Sequence, residues 1–187
     1  MRVHLERRSG KAKAICAQFS ADLISIIESC AMAGVGCSIL HSDFDEINKE
    51  YCLDRRFNPY SICGRDCAMR AHGFIREKYS QTAPIEYIFE EGDSGRQFLE
   101  NEMKKSGLPM PIFRIGKPQK NAPECHPTVQ LQAADFLSWE LRKYARSKRS
   151  DRRSLRALMR AEPLWFKYPP NELRRLCLSA GIKRRKQ

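Results

Sequence analysis

The spacing of apolar residues predicts alternating helices and strands in the first 115 residues. Between residues 11 and 32, apolar side chains recur every three or four positions, as on the buried face of a helix, and Gly34 and Gly36 interrupt that pattern. Asp93 or Ser94 is predicted to cap a later helix, which Gly107 ends. The predicted elements after residue 34 are, in order, a strand at 35–40, an acidic turn at 41–46, a helix at 60–79, a strand at 85–90, a helix to about residue 105 and a short strand at 112–115.

The last third of the chain is predicted to be mostly helical. A proline-rich loop at 118–127 precedes predicted helices at 128–148, 150–161 and 171–180, and Gly181 ends the last of them. Helices that alternate with strands favour an α/β sheet covered by helices. A three-layer domain of this kind usually has more strands than the two or three predicted here, so either one strand is hidden in the pattern or the sheet is incomplete.

The composition predicts a globular chain in the cytoplasm. Its 187 residues suit one domain of ordinary size. The first ten residues carry arginines with no apolar segment after them, unlike a signal peptide. Asp22 and Glu28 interrupt the most apolar stretch, residues 15–40, so no membrane span is expected.

The eight cysteines predict reduced thiols, in preference to a zinc site or a disulfide scaffold. The closest pairs of metal-ligand type are Cys63 with Cys67 and Cys125 with His126. Neither pair has the two-residue spacing of a zinc motif, and no second pair stands at zinc-finger distance. Scattered thiols that pack as small apolar side chains are the favoured interpretation.

The charge is concentrated near the end of the chain and favours nucleic acid as a partner. The formal net charge is +12, of which residues 142–187 contribute +13 and the other 141 residues −1. Clustered basic residues gain affinity for nucleic acid by releasing phosphate counterions. Trp165, Phe166 and Tyr168 interrupt the basic residues, and they either stack on bases or anchor the tail on the core. The residues expected to contact the substrate are Gln132, Arg142, Lys143, Arg146, Arg149, Arg152 and Arg153.

Three acidic residues are candidates for catalysis and metal binding. Glu90 ends a predicted strand and Asp93 follows in a Gly-Asp-Ser-Gly turn, at the place where ligands of open α/β sheets gather. Asp135 lies among apolar residues of a predicted helix, where a buried carboxylate requires a partner or a metal. The alternatives are that Glu90 is a solvated strand end, that Asp93 caps a helix and that Asp135 forms an ion pair with Arg142. Carboxylates that meet from a strand end and a helix can bind Mg²⁺ or Mn²⁺. Such ions activate water for phosphodiester cleavage.

Two segments of the chain resemble a bacterial and phage family of unknown function that is grouped with the RNase H-like superfamily. The central strand of that family ends in an acidic residue, matched here by Glu90 with Asp93 nearby. Its late helix carries a Leu-Gln-x-Ala-Asp pattern, which is met by Leu131, Gln132, Ala134 and Asp135. The resemblance implies an RNase H-like three-layer α/β sandwich over residues 1–148. A basic, helical C-terminal extension over residues 149–187 is expected to pack on it.

One motif of the family has no counterpart here. Family members usually begin with a strand that carries an Asp-Glu-Ser-Gly-like motif, whose Asp is the expected first metal ligand. No segment of this chain matches it. The fold is therefore expected to be incomplete at the N-terminal strand, with Asp43 as a substitute ligand that no motif supports.

Three functions follow from these features as alternatives. The first is a Mg²⁺-dependent nuclease, or a related phosphoryl-transfer enzyme, with Glu90, Asp93 and Asp135 as metal ligands. The second is a non-catalytic nucleic-acid-binding protein of the same fold. The third is a docking module, or a dimer, that uses the sheet edge left uncovered by the missing strand.

Overall fold

Helices and short strands alternate along the part of the chain that the structure describes. The structure is a computed structural model, which describes residues 14–15, 17–19, 21–29, 31, 33–79, 82, 84–92, 94–114, 129–147 and 163–185. The helices are α1 (helical at the described positions 14–15, 17–19 and 21–29), α2 (His41–Tyr51), α3 (Pro59–Lys78), α4 (Arg96–Lys105), α5 (Val129–Ser147) and α6 (Pro170–Ser179). The strands are β1 (Gly34–Ile39), β2 (Ile88–Glu90), β3 (Ile112–Arg114) and β4 (Pro163–Tyr168), and a 3₁₀ turn covers Leu53–Arg55. The predicted mixed α/β class is confirmed.

Most predicted elements occur where the apolar spacing places them. The strand at 35–40, the strand at 112–115 and the helices at 60–79, 128–148 and 171–180 are confirmed with small shifts at their ends. Gly107 and Gly181 have φ angles of 67° and 68°, which suits the left-handed turn after a helix. The predicted loop at 118–127 and helix at 150–161 lie outside the described residues.

The acidic turn predicted at 41–46 is wrong, because α2 begins at His41. Phe44, Ile47 and Tyr51 recur at helical spacing and are buried, so the segment gains more from packing one helical face than from exposing a turn. Asp43 lies in the first turn of α2, where a negative charge is favourable to the helix dipole.

The chain divides into two compact units. The first contains residues 1–34 and 132–163, and the second contains residues 35–131 and 164–187. In the first unit, Leu23 and Ile27 of α1 are buried against α5, whose contacting side chains are Ala133, Phe136 and Leu137. The predicted boundary between residues 148 and 149 lies outside the described residues, and it stays a prediction.

The larger core of the second unit is built around α2 and α6. Leu173 and Cys177 lie one helical turn apart on α6 and are fully buried. They pack with residues of α2, the 3₁₀ turn, α3 and the link before α3: Phe44, Ile47, Tyr51, Leu53, Phe57 and Ile62. Part of the predicted C-terminal extension is therefore inside the core, because its apolar stripe completes the face that α2 presents.

A second core in the same unit joins α3 and α4 to a small parallel sheet. Strands β2 and β3 are parallel, with Phe89 opposite Phe113 in register. Those side chains pack against the buried Leu99 and Met103 of α4. The Asn58 side chain accepts the Ser61 N–H at 2.7 Å and so caps α3, whose first residue is Pro59.

The predicted side-chain cap of α4 is wrong, because the N-cap residue is Gly95. A Cβ atom at residue 95 would lie 2.6 Å from Tyr60 Cδ1 and 2.7 Å from Asn58 Nδ2. The close approach of the α3 N-terminus therefore requires glycine at this position. Ser94 is exposed, and Asp93 lies outside the described residues.

Strand β4 is the strand that the apolar pattern did not predict. It pairs with β1 in a two-stranded sheet, separate from the β2–β3 sheet. Its residues include Trp165, Phe166 and Tyr168, which are partly buried. Tyr168 packs against the larger core and donates a hydrogen bond from its hydroxyl to Asp66 of α3, and the Arg70 guanidinium lies 3.9 Å from the Phe166 ring centroid. These contacts of Phe166 and Tyr168 agree with the alternative in which the aromatic residues anchor the tail on the core.

Candidate nucleic-acid interface

Glu90 is the last residue of β2 and is exposed. It lies opposite Arg114 at the carboxyl end of the parallel β2–β3 pair, and the next residue, Glu91, donates its N–H to the Arg114 carbonyl at 2.8 Å. The carboxyl ends of parallel strands are where ligands of open α/β sheets gather. Glu90 therefore has the position expected of a ligand-facing residue, within the second compact unit.

Asp135 lies on α5 in the first compact unit and is exposed. The helix turns Ala133, Phe136 and Leu137 toward α1, and this places Asp135 on the outer face. An exposed carboxylate needs no partner or metal to offset burial, so the argument from a buried charge does not apply to it.

The buried acid of α5 is Glu140, which is 1% exposed. Sequence reasoning missed this residue. The signal that reveals it is helical phase, because Glu140 follows Leu137 by three residues and Phe136 by four, and so continues the buried face. Because the adjacent Trp139 and Leu141 are both apolar, counting apolar residues does not show that residue 140 lies on the buried face.

The structure describes two of the three predicted metal ligands, Glu90 and Asp135. Glu90 and Asp135 belong to different compact units, and Asp93 lies outside the described residues. In the described parts of the chain, no three His, Cys, Asp or Glu side chains are placed to hold a metal ion. This also applies to Asp43, which is partly buried in the first turn of α2.

The outer face of α5 carries an exposed aromatic ring beside basic side chains. Trp139 is 45% exposed, and its ring stacks on Phe136 with centroids 6.2 Å apart and planes 23° apart. The Lys143 ammonium lies 3.4 Å from the Trp139 centroid, a cation–π contact at helical spacing. Arg142, the residue before Lys143, is exposed, and Gln132 is partly buried. An exposed indole with cations around it can stack on a base while the cations contact phosphates.

The other predicted contact residues on this part of the chain are only partly described. Arg146 lies in α5. Arg149, Arg152 and Arg153 lie outside the described residues. Their contribution to binding stays a prediction.

Several arginines of the basic C-terminal segment are held in contacts within the second unit. Arg174 lies 2.8 Å from Glu46 and 3.0 Å from Glu50, and its guanidinium lowers the pKa of the Glu50 carboxyl. Arg184 also contacts Glu50, at 3.4 Å, and the Arg185 Nε donates to the Cys52 sulfur at 2.6 Å. Part of the positive excess seen in the sequence therefore holds the chain end on α2.

The chain was compared with protein-family models, curated proteins and solved structures, and none of them matches it. The resemblance to the RNase H-like superfamily therefore stays a prediction. No helix in the described residues is long and apolar enough to cross a membrane.

Proposed function

We propose that the protein binds nucleic acid through the outer face of α5. The observation that carries this proposal is the exposed Trp139 indole with the Lys143 ammonium against it and Arg142 beside it. Trp139 is 45% exposed, so part of its ring is accessible for stacking on a base. The adjacent cations, and the net charge of +13 in residues 142–187, favour a phosphate backbone by counterion release.

Single-stranded nucleic acid is the substrate class that this face suits best. An indole stacks on the flat face of an unpaired base, whereas bases in a duplex are already stacked on each other. Stacking tolerates any base, so the proposal predicts binding with little sequence preference. No carboxylate chemistry is required for this function.

Replacing Trp139 with alanine is expected to weaken binding of single-stranded oligonucleotides about 5- to 150-fold, since a stacked base contributes roughly 1–3 kcal/mol. Trp139→Phe keeps an aromatic face and is expected to retain most of the affinity. Fluorescence anisotropy with labelled oligonucleotides measures both variants. Circular dichroism checks that α5 remains folded.

A matched pair of lysine variants separates the site from general charge. Lys143→Ala is expected to reduce the slope of log K against log salt by about 0.7–0.9, the loss of one phosphate contact. Lys104→Ala removes an exposed lysine of α4 in the other compact unit and is expected to leave affinity and slope unchanged. Equal affinity of wild type and Trp139→Ala would contradict the proposed interface.

A nuclease of RNase H-like fold, incomplete at its N-terminal strand, is the second candidate. It is supported by the Leu-Gln-x-Ala-Asp pattern that ends at Asp135, and by the position of Glu90 at the carboxyl end of a parallel pair. In this proposal Glu90, Asp93 and Asp135 would bind Mg²⁺ or Mn²⁺, ions that in such sites activate water for phosphodiester cleavage. Dimerisation through an uncovered sheet edge is a separate prediction about the same fold.

Asp135→Asn is expected to abolish both metal binding and cleavage if the second candidate is correct, and to leave the fold intact because the side chain is exposed. Titration calorimetry with Mg²⁺ and Mn²⁺ measures the binding, and a labelled oligonucleotide measures cleavage. Glu77→Gln, an exposed acid of α3, is the matched control. Cleavage that survives Asp135→Asn, or metal binding that is absent from the wild type, rejects the nuclease and leaves the binding proposal standing.

A further inference from the structure

One face of α3 lies against the β1–β4 sheet and brings three cysteines together. Cys63, Asp66, Cys67 and Arg70 recur at helical spacing on this face. Asp66 and Arg70 contact Tyr168 and Phe166 of β4, as described above. Since β4 pairs with β1, the same packing places the two α3 cysteines next to Cys37 of β1.

Cys37 shares its face of β1 with Ile39, which packs against the same core as Tyr168 of β4. Cys37 therefore lies on the side of the sheet that α3 covers. A side-chain hydrogen bond with Cys63 raises the pKa of the Cys37 thiol, and a hydrogen bond with the Cys37 backbone lowers that of Cys67 against the effect of burial. None of the three is in a disulfide, and all are partly exposed, so a small reagent can reach them. The nearby Asp66 carboxylate is already engaged by Tyr168 and by Arg65, whose Nε lies 2.7 Å from it. The site is therefore a dithiol with a third thiol beside it.

We infer that Cys37 and Cys63 form a reversible disulfide that links β1 to α3, with a low-molecular-weight disulfide as the oxidant. Oxidised glutathione is a suitable reagent of this class. A protein thiolate attacks one sulfur of the reagent, the reagent's S–S bond breaks and one glutathione thiolate leaves. The second protein thiol loses its proton and attacks the mixed disulfide, which releases the second glutathione. The protein dithiol loses two electrons and two protons, and the reagent becomes two thiols.

The protonation state of the thiols sets the pH dependence of this exchange. The hydrogen bond to Cys63 and burial raise the pKa of Cys37, and burial raises the pKa of Cys67 to about 12. The Cys37 thiol is therefore protonated at neutral pH, and only the thiolate attacks a disulfide. The rate of disulfide formation is expected to rise as the pH is raised from 7 to 9.

The test uses the full chain, folded, with oxidised glutathione at pH 8.5. Remaining thiols are then alkylated, the protein is digested without reduction, and linked peptides are identified by mass spectrometry. The expected product is a Cys37–Cys63 peptide that dithiothreitol removes. Cys63→Ser is expected to abolish that peptide. Cys177→Ser, which removes a buried thiol on α6, is expected to leave the peptide in place.

Two results would overturn the inference. One is complete alkylation of Cys37 and Cys63 in the wild type after oxidant treatment. The other is a link from Cys37 to any cysteine but Cys63. Both are read on the unmodified sequence, so the test does not depend on a variant that folds. Near-ultraviolet circular dichroism confirms that the native packing is present during oxidation.

Discussion

Leu173→Ala is expected to lower the free energy of unfolding by about 2–5 kcal/mol, the range for removing a buried leucine side chain from a core. Leu173 is 0% exposed and packs in the larger core of the second unit, together with side chains such as Phe44 and Ile47 of α2. The cost should lie in the upper half of that range. Aromatic and branched neighbours held by two helices and a 3₁₀ turn leave little room for the cavity to collapse. Urea denaturation followed by circular dichroism measures the change.

Leu178→Ala is the matched control for this prediction. Leu178 lies on the same helix, five residues later, but its side chain is 65% exposed. A leucine in water has little packing to lose, so the change is expected to stay within about 0.5 kcal/mol of wild type. If the two variants unfolded at the same urea concentration, α6 would not be part of the core. The basic segment would then be an appendage, as the charge distribution suggests on its own.

The position of α6 shows what local patterns in a sequence reveal and what they omit. The spacing of Leu173, Leu176 and Cys177 predicts an amphipathic helix at 171–180, and this is confirmed. The partner of that apolar stripe is α2, which lies far away in the sequence. Periodicity reports that a helix has a face to bury, but it carries no information on which element buries it.

Strand β4 illustrates the same limit for sheets. The run from Leu164 to Tyr168 is rich in aromatic residues, which favour strands, but the strand that contains it is only six residues long. β4 pairs with β1, which is distant in the sequence, and the pattern of residues within a short segment does not show such pairing. The strand shortage noted from the sequence was the one indirect sign that such a strand existed.

The candidate sites also differ in whether sequence spacing alone predicts them. The contact between Trp139 and Lys143 follows from their spacing of four on one helix, and the sequence contains it. Helical phase places Glu140, and not Asp135, on the buried face of α5. The meeting of Cys37 with Cys63 and Cys67 depends on the packing of α3 on the β1–β4 sheet, so it required the structure.

Arg65→Met is expected to destabilise the second unit by about 3 kcal/mol, because it leaves a buried carboxylate short of its partner. The Arg65 side chain is 12% exposed and that of Glu102 is 6% exposed, and their nearest atoms are 3.1 Å apart. This ion pair joins α3 to α4. Removing one member of a buried pair costs about 3–5 kcal/mol. The low end is expected here, since Lys105 contacts the other Glu102 oxygen at 2.7 Å and still offsets part of its charge.

Two further variants decide whether burial, and not ion pairing as such, produces the loss. Arg96 pairs with Glu100 at 2.9 Å on the surface of α4, with side chains 51% and 31% exposed. Arg96→Met is expected to cost no more than about 1 kcal/mol, since solvent screens such pairs. The double change of Arg65 and Glu102 to methionine removes both charges of this pair, and it is expected to recover part of the loss caused by Arg65→Met, while Asp66 keeps its hydrogen bond from Tyr168. Equal losses for the Arg65 and Arg96 variants would show that the α3–α4 contact is solvated, against the burial that the structure gives it.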